Sequence, residues 1–470
     1  MSFLNFVLSI LLASNISSPD TQSPSLNETR PFAEGLDLGQ HLLLTPYIEN
    51  GEIEKARSLS KVEKLPNVQR SIPSYSGFFT VNKKHDSNMF YWFFPALNND
   101  TKAPLILWLQ GGPGASGLIG LFNINGPYFI LENKTAELRP YTWAKEFHVI
   151  YVDNPVGTGF SFTKSEEGYV TNEEEMADDL YELLQQFFKV YYEYKSNDLY
   201  IVGESYGGKY VPSIAYKIHK SGPPAEVTFK GIGIGNGVVD PITQMNYADY
   251  FYQLGIIDSK QALVIKNLTK QIIQNIKNEN YLEAVNMFNS IVADVPEEAN
   301  PNYLLQFSGY DYSYFLLDTK TPQDMTYYRD YIMLPEFRKA VHVGNLTYHA
   351  SKKVRDYLLQ DFMLSVKPQL IEIINNYKVL IYNGQLDLTL PYTLMVDFLQ
   401  SIEWKHSKEY KEADRKIWRL CGKGEVAGYV HNVGDFHHVL IRSSGHMAPH
   451  EQPHYALDLI THFVRDKPFC

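Results

Sequence analysis

The chain has 470 residues, of which 44% are hydrophobic and 20% are charged, and this composition is typical of a packed globular protein. Its formal net charge is −11, and because an acidic chain repels phosphate backbones we expect no nucleic-acid partner. The two cysteines, Cys421 and Cys470, are too few for a zinc module or a dense disulfide scaffold. The length fits about three domains, or one large α/β domain with an insertion.

The chain begins with a short apolar run that small and polar residues follow. The run, within residues 1–14, is too short to cross a bilayer, which takes about 20 apolar residues. It is typical of a secretory signal peptide, although no Lys or Arg precedes it, and we expect that peptide to occupy approximately residues 1–17. No later apolar stretch has the length of a membrane anchor, so the sequence predicts no membrane span.

N-glycosylation sequons give further support for the secretory pathway. Six occur, where chance would give about three in a chain of this composition. Asn15 belongs to the predicted signal peptide. The remaining glycosylation candidates are Asn27, Asn99, Asn133, Asn267 and Asn345. Residues 467–470 are not a retention signal for the endoplasmic reticulum, so we expect a secreted or a lysosomal protein.

The predicted strands begin after a polar N-terminal lead-in, residues 18–75, that has few periodic features. Two β-rich runs follow at 77–82 and 89–95, and the polar stretch between them predicts a hairpin. Short, nearly unbroken apolar runs come next, and such runs are typical of parallel strands that are buried on both faces. They lie at 105–109, 148–152, 199–202, 231–235, 379–382 and 439–441.

Helical patterns alternate with these strands. The clearest covers 173–192, where apolar residues recur at spacings of three and four. The alternation predicts an α/β core with a mostly parallel central sheet, in the two segments 76–240 and 351–470. The intervening residues 241–350 are mostly helical in pattern, and we interpret them as an inserted helical cap. The clearest helical patterns of the cap are 259–277 and 281–292.

The segment Gly203-Glu204-Ser205-Tyr206-Gly207 carries the strongest chemical signal. It follows a predicted strand and precedes a helical pattern, and Gly-x-Ser-x-Gly in that context is the signature of a nucleophile elbow. The glycines allow a sharp turn between two close backbones, and the turn exposes the Ser205 hydroxyl above the sheet. The alternative is an ordinary serine in a glycine-rich turn.

A second glycine-rich loop, 108–114, follows the predicted strand 105–109. Its glycine pair leaves backbone N–H groups free to face a substrate oxygen. In the α/β-hydrolase arrangement one oxyanion donor comes from such a loop and the other from the residue after the nucleophile, so Gly112 and Tyr206 are the candidates. A plain turn is the alternative, whereas a phosphate-binding P-loop is excluded because no Gly-Lys-Ser/Thr follows.

A base and an orienting acid are needed next, in the chain order Ser, Asp, His. Asp387 and His446 each come just after a predicted strand. Ligand chemistry collects at the carboxyl edge of an open α/β sheet, so both residues are predicted to meet Ser205. His437 and His438 are expected before their strand, at the opposite edge. No spacing of His, Cys and carboxylates suggests a metal, and no cofactor is expected.

With these motifs the chain resembles the serine carboxypeptidases, and among them the vitellogenic-like branch. The resemblance runs from about residue 76 to the C-terminus and rests on segments 108–114, 151–161, 203–212, 383–387 and 445–446. It implies an α/β-hydrolase fold with a helical cap, the triad Ser205, Asp387 and His446, and an oxyanion hole from Gly112 and Tyr206. It further implies peptide substrates with a free C-terminus, whose last peptide bond is cleaved through an acyl-enzyme on the serine.

The same resemblance implies a site for the terminal carboxylate of the substrate. In the family an Asn and two Glu residues bind that group; here Gln110 stands at the Asn position and Glu204 at the position of one Glu. Ile124 stands where the second Glu is expected, and it can neither donate nor accept a hydrogen bond. Asn123 or Asn125 is the suggested substitute. We expect binding to favour acid pH, but less steeply than where two carboxyls are paired.

Two alternatives to a carboxypeptidase stay open: an acyltransferase or esterase that uses the same triad, and a catalytically idle secreted binding protein. The family usually carries several disulfides in the cap, whereas this chain has two cysteines. Cys421 and Cys470 either pair in the oxidising secretory route or remain one buried and one exposed thiol. The sequence leaves the oligomeric state open, a homodimer included.

Overall fold

The computed structural model describes residues 37–292, 301–421 and 424–470. The predicted signal peptide and the sequons at Asn15 and Asn27 lie outside these residues. All the described residues belong to one compact unit.

Each of the eight predicted runs coincides with a strand, and most of these strands extend one to three residues beyond the run, whereas four further strands were not predicted. Within the described residues the strands are β1 Tyr75–Asn82, β2 Ser87–Phe94, β3 Leu105–Leu109, β4 Tyr128–Ile130, β5 Ala136–Leu138, β6 His148–Val152, β7 Asp198–Glu204, β8 Thr228–Gly235, β9 Lys378–Gly384, β10 Lys416–Arg419, β11 Val426–Val433 and β12 Phe436–Ile441.

Ten of these strands join in one sheet, in the order β1-β2-β6-β3-β7-β8-β9-β12-β11-β10. The six central strands run parallel to one another. The pairings at both edges are antiparallel. The mostly parallel sheet is therefore confirmed. β10 and β11 were missed, because half-exposed edge strands lack the unbroken apolar runs of the centre.

Helices cover both faces of the sheet or belong to the inserted segment. Within the described residues they are α1 Thr45–Glu49, α2 Ile53–Ser60, α3 Gly117–Ile119, α4 Glu173–Val190, α5 Gly207–Ser221, α6 Tyr247–Gln253, α7 Ser259–Lys277, α8 Tyr281–Asn289, α9 Tyr303–Ser308, α10 Tyr327–Ile332, α11 Pro335–Ala340, α12 Lys352–Tyr357, α13 Lys367–Asn376, α14 Tyr392–Ser401, α15 Ser407–Glu412, α16 Ala448–Glu451 and α17 Pro453–Val464.

The helix predicted at 173–192 is α4, and it ends two residues early. Its start is fixed by Asn172, whose side chain accepts hydrogen bonds from the backbone of Glu174 and Glu175. Three glutamates in the first turn complement the helix dipole. The apolar residues at spacings of three and four are buried in the main core cluster, as the pattern predicted.

The segment interpreted as a cap contains helices and no strand in its described parts, 241–292 and 301–350. α7 has the predicted bounds and begins with a capping box formed by Asp258 and Gln261. α8 ends at Asn289, three residues before the predicted end. Apolar residues of α6, α7 and α8 form a hydrophobic cluster of their own. The cap boundaries stay a prediction.

The lead-in has more structure than its sequence suggested. α1 and α2 both pack beside α4: the Thr45 hydroxyl donates to Gln186 Oε1 at 2.6 Å, and the Ser60 hydroxyl lies 2.7 Å from that of Tyr191. Such short helices carry a weak periodic signal, because their stability comes from packing rather than from their own sequence.

The C-terminal residues lie beside the edge strand β10. A disulfide joins Cys421 to Cys470, whose Cα atoms are 5.5 Å apart, and Arg419 N donates to Cys470 O at 2.8 Å. The sequons at Asn99, Asn133, Asn267 and Asn345 are all exposed. No helix among the described residues is both long and apolar enough to cross a membrane.

Candidate active site

The predicted site residues follow the carboxyl ends of parallel strands. Gln110 and Gly112 come after β3, Ser205 after β7, Asp387 after β9 and His446 after β12. Because parallel strands present their carboxyl ends at one edge of the sheet, residues that are far apart in sequence converge there.

Ser205 occupies a strained turn between β7 and α5. Its φ of 62° lies in the left-handed region, which is costly for a residue with a side chain and is tolerated where the surroundings fix the backbone. Ser205 N donates to Gly235 O at 3.0 Å, and Ser205 O accepts from Gly208 N at 2.9 Å and from Val238 N at 3.1 Å. These bonds hold the turn in the shape expected of a nucleophile elbow.

The loop after β3 passes directly beside this turn. A Cβ at Gly111 would lie 2.6 Å from both Glu204 O and Tyr206 N, so only glycine fits there. Gly112 has a φ of 109°, which a residue with a side chain rarely adopts. The glycine pair therefore allows both a close approach and an unusual backbone.

The two candidate oxyanion donors are available. Gly112 and Tyr206 line the same cavity next to Ser205. Among the described residues neither backbone N–H donates a hydrogen bond within the protein. A pair of free amides beside the nucleophile is what a tetrahedral oxyanion requires, and removal of one such donor typically costs about 3 kcal/mol of transition-state stabilisation.

Asp387 and His446 form a buried pair at the same edge. His446 Nδ1 lies 2.8 Å from Asp387 Oδ2, and the two side chains are 2% and 0% exposed. Asp387 Oδ1 accepts from Thr389 N at 2.8 Å and from Leu390 N at 3.1 Å. The carboxylate is thus held in place on both oxygens, and it orients the imidazole.

Two further residues contact this pair, and the sequence analysis predicted neither of them. Asn236, after β8, donates from Nδ2 to Asp387 Oδ2 at 2.7 Å and to Gly445 O at 2.9 Å. The ring of Tyr314, in the segment interpreted as a cap, lies 4.7 Å from that of His446. The only sequence signal for Asn236 was its position just after a predicted strand. The residues around Tyr314 in the sequence gave no signal for its place at the site.

The positions predicted for His437 and His438 were partly wrong. His437 and His438 lie within β12, near its amino end, rather than before it. The strand begins at Phe436 because its pairing with β9 extends further than its apolar run. His438 is buried and lies 2.9 Å from the Tyr410 hydroxyl, and burial lowers its pKa to about 3. Both histidines remain far along the strand from its carboxyl end.

Two cavities meet at Ser205, which lines both together with Gly112. The first, of about 200 Å³, has a mixed wall, in which Asn286, Asn289, Arg355 and Asp356 accompany apolar side chains. That wall includes Tyr206, Val285, Phe288, Val292, Leu359 and Phe362. The second, of about 250 Å³, is lined by His446 and by predicted carboxylate-binding residues. Those residues are Gln110, Asn123 and Glu204.

Gln110 and Glu204 contact each other at one wall of the second cavity. Gln110 Nε2 donates to Glu204 Oε1 at 3.3 Å, and Gln110 Oε1 accepts from Trp108 Nε1 at 3.1 Å. Glu204 is fully buried, and burial raises its pKa to about 8, while the neighbouring His446 and the Gln110 amide oppose that rise. Glu204 is therefore a neutral carboxyl, able to donate a proton in a hydrogen bond, below about pH 8.

The two residues suggested to replace the missing Glu at position 124, Asn123 and Asn125, have different surroundings. Asn123 lines the second cavity and donates from Nδ2 to Met325 O at 2.9 Å. Asn125 does not line it, and its Oδ1 accepts from the Tyr151 hydroxyl at 2.9 Å. Ile124 itself is fully buried in a hydrophobic cluster.

A second carboxyl lies within electrostatic range of Glu204, and it comes from a different part of the chain than Ile124. Glu451, at the end of α16, is half-buried with its Oε2 atom inaccessible to solvent. Its pKa is raised well above the usual range, first by burial and then by the charge of Glu204.

No group of three or more His, Cys, Asp or Glu side chains in the described ranges could hold a metal ion.

Comparison with known proteins identifies the family of the chain. Residues 66–466 match the serine carboxypeptidase family model. A probable serine carboxypeptidase CPVL of Homo sapiens is 46% identical over 435 residues, which cover 92% of this chain and 91% of that protein. The venom serine carboxypeptidase of Apis mellifera is 43% identical, over 93% of this chain and 94% of that protein.

A vitellogenic carboxypeptidase of Aedes aegypti is 41% identical, over 91% of this chain and 90% of that protein. Among solved structures, the Kex1 prohormone-processing carboxypeptidase of Saccharomyces cerevisiae superposes with a TM-score of 0.70 at 20% identity. The superposition covers 87% of this chain and 96% of the Kex1 chain, and it supports the α/β-hydrolase fold. By its sequence and its fold, the chain belongs to the serine carboxypeptidase family.

Proposed function

We propose that this protein removes C-terminal residues from peptides through an acyl-enzyme on Ser205. The observation that carries the proposal is the position of Ser205 between two cavities, one with Phe288 and Phe362 in its wall and one lined by Gln110 and the neutral carboxyl of Glu204. A peptide that crosses Ser205 from one cavity to the other would present its last peptide bond to the hydroxyl.

The proposed reaction follows the serine-hydrolase scheme. Ser205 Oγ attacks the carbonyl carbon while His446 takes the hydroxyl proton, and Asp387 stabilises the resulting imidazolium. The amides of Gly112 and Tyr206 donate to the oxyanion. His446 then gives its proton to the leaving amine, and the C-terminal residue departs. Water, activated by the same imidazole, hydrolyses the acyl-enzyme and restores the serine.

The second cavity is the proposed site of the departing residue. A peptide terminus carries a carboxylate, which accepts hydrogen bonds, and neutral Glu204 together with the Gln110 amide would donate them. This gives the carboxylate a site although Ile124 cannot bind it.

The first cavity is the proposed site of the penultimate side chain. Phe288 and Phe362 lie in its wall, with ring centroids 5.4 Å apart. Burial of apolar surface contributes about 25 cal/mol per Å², so contact with these rings favours a large apolar side chain over a small one.

A labelling and trimming experiment tests the function. A fluorophosphonate probe is expected to modify Ser205, and mass spectrometry of a peptide mixture is expected to show stepwise loss of C-terminal residues. Ser205→Ala should abolish both, whereas Ser221→Ala, at the exposed end of α5, should change neither. Labelling with ester turnover but without trimming would instead support an acyltransferase or esterase. Absence of labelling would support an idle binding protein.

We also propose that the protein enters the secretory pathway and reaches the cell exterior or the lysosome. The predicted signal peptide, the exposed sequons and the disulfide support this proposal. Treatment of the expressed protein with an N-glycosidase should increase its electrophoretic mobility. An unchanged mobility would count against glycosylation at these sequons.

A further inference from the structure

A buried charged cluster that the proposed mechanism does not use lies next to the nucleophile turn. It consists of Glu173 at the start of α4, Lys209 in α5, Asp361 after α12, and the side chain of Tyr206. The Lys209 and Asp361 side chains are 0% and 5% exposed. Buried charges are costly to maintain unless they are well paired, so the geometry of this cluster is informative.

Asp361 connects the other members. Its Oδ2 accepts from Lys209 Nζ at 2.5 Å and from the Tyr206 hydroxyl at 2.8 Å. Lys209 Nζ also donates to the Asp361 carbonyl. The neighbouring Phe362 packs its ring against that of Tyr206, with centroids 5.5 Å apart. The Tyr206 side chain is thus held by its hydroxyl and by its ring, and the residue lines the first cavity beside Ser205.

Glu173 completes the cluster. It is 6% exposed, and its carboxyl group interacts with the side chains of Tyr206 and Asp361, although neither carboxyl oxygen has a hydrogen bond of good geometry among the described residues. Burial raises its pKa to about 8, against the opposing charge of Lys209. The charged or titratable groups that face it are Lys209, Asp361, Tyr206 and Tyr210. Below about pH 8 the cluster therefore contains a protonated Glu173 carboxyl beside the Lys209–Asp361 salt bridge.

We propose that Glu173, Lys209 and Asp361 are positioning residues that hold Tyr206, and with it one oxyanion-hole amide, and that a negative charge on Glu173 disrupts this arrangement. Two buried carboxylates would then compete for one ammonium group and repel each other at low dielectric. The inference rests on the proposed function, because it assigns these residues to the oxyanion hole of Ser205.

The test is the pH dependence of a reaction at Ser205 that does not involve substrate carboxylate binding. The rate constant for phosphonylation of Ser205 by a neutral fluorophosphonate is measured from pH 5 to 9. For the wild type we expect a loss of about fivefold or more between pH 7.5 and 9, as Glu173 ionises. Glu173→Gln stays neutral and should keep its rate over that range. Glu174→Gln, an exposed change in the same helical turn, should behave as the wild type.

A double-mutant cycle tests the route through Tyr206. At pH 6.5, Asp361→Asn and Tyr206→Phe should each slow phosphonylation about tenfold, and the double variant should be little slower than either, because both remove the same bond. Additive effects, or an alkaline loss that persists in Glu173→Gln, would overturn the inference. If the Asp361→Asn variant does not fold, the pH profile of phosphonylation in Glu173→Gln is sufficient to test the inference. A wild type that does not react at Ser205 would overturn the proposed function instead.

Discussion

Asn236 Nδ2 lies 2.7 Å from Asp387 Oδ2, the same carboxylate oxygen that lies 2.8 Å from His446 Nδ1. Asn236 also accepts from Gly384 N at 2.8 Å and donates to Gly445 O, the residue before the histidine. One amide therefore ties together the loops after β8, β9 and β12. An orienting acid acts through its geometry, so a residue that fixes the acid affects the imidazole.

We predict that Asn236→Gly lowers kcat by about 10- to 100-fold with a smaller effect on KM, because the Asp387–His446 pair loses its support. Glycine is chosen because Asn236 has a φ of 42°, which glycine adopts without strain. Steady-state kinetics on a peptide substrate measure the effect.

The control for this change is Asn197→Gly. Asn197 is also buried and donates two hydrogen bonds, to Thr101 O at 2.9 Å and Ala103 O at 2.8 Å, but it lies before β7, at the opposite edge of the sheet. It should lower stability without lowering kcat. Equal losses of kcat in both variants would show that Asn236 has only a general structural role.

Glu204 sets a second prediction, on the pH dependence of binding. Burial raises its pKa to about 8, so its carboxyl donates to a substrate carboxylate below that pH and repels it above. We expect KM to stay nearly constant up to pH 7 and to rise about tenfold between pH 7 and 9. Glu204→Gln, which stays neutral, should give a flat KM profile. The same rise in both proteins would mean that another group controls binding.

The first cavity leads to a third prediction, on substrate choice. Phe288 lines this cavity from α8, and Phe288→Ala should lower kcat/KM about tenfold for peptides with a penultimate Phe or Leu. Peptides with a penultimate Ala should change much less, because they do not reach the ring. Leu282→Ala is the control, since Leu282 lies on the same helix and is 49% exposed. A loss that does not depend on the penultimate residue would contradict the assignment.

Buried carboxyls lead to a fourth prediction, on stability. Glu173 and Glu204 have pKa values raised to about 8, and that of Glu451 is raised well above its usual range. Between about pH 5 and 8 the folded protein keeps protons that the unfolded chain releases, so each group lowers the free energy of unfolding by up to about 1.4 kcal/mol per pH unit. Buried histidines such as His438, whose pKa is lowered, oppose this trend below pH 6.5.

The melting temperature should therefore fall as pH rises from 6.5 to 8.5, and Glu451→Gln should reduce the fall, because glutamine releases no proton. Glu412→Gln, an exposed change in α15, should leave the fall unchanged. Scanning calorimetry at the two pH values measures the difference. A melting temperature that rises with pH would contradict the burial of these carboxyls.

Much of the fold could be predicted from local patterns. The central strands are buried on both faces, so their apolar runs are unbroken and were found with small errors at the ends. The short helices α1 and α2 and the strands β10 and β11 were missed. The helices are stabilised by contacts with α4, and the strands by pairing with each other and with β12, and no local pattern encodes these contacts.

The sequence by itself determined the chemistry at the strand ends: a serine in a glycine turn, then an acid and a histidine in the expected order. Only the tertiary structure decided what surrounds them, namely Asn236 on the acid, Glu451 near Glu204, and Asn123 rather than Asn125 at the cavity. The reason is physical. Backbone constraints such as the elbow act between neighbours in sequence, whereas burial, charge and hydrogen bonding act between neighbours in space.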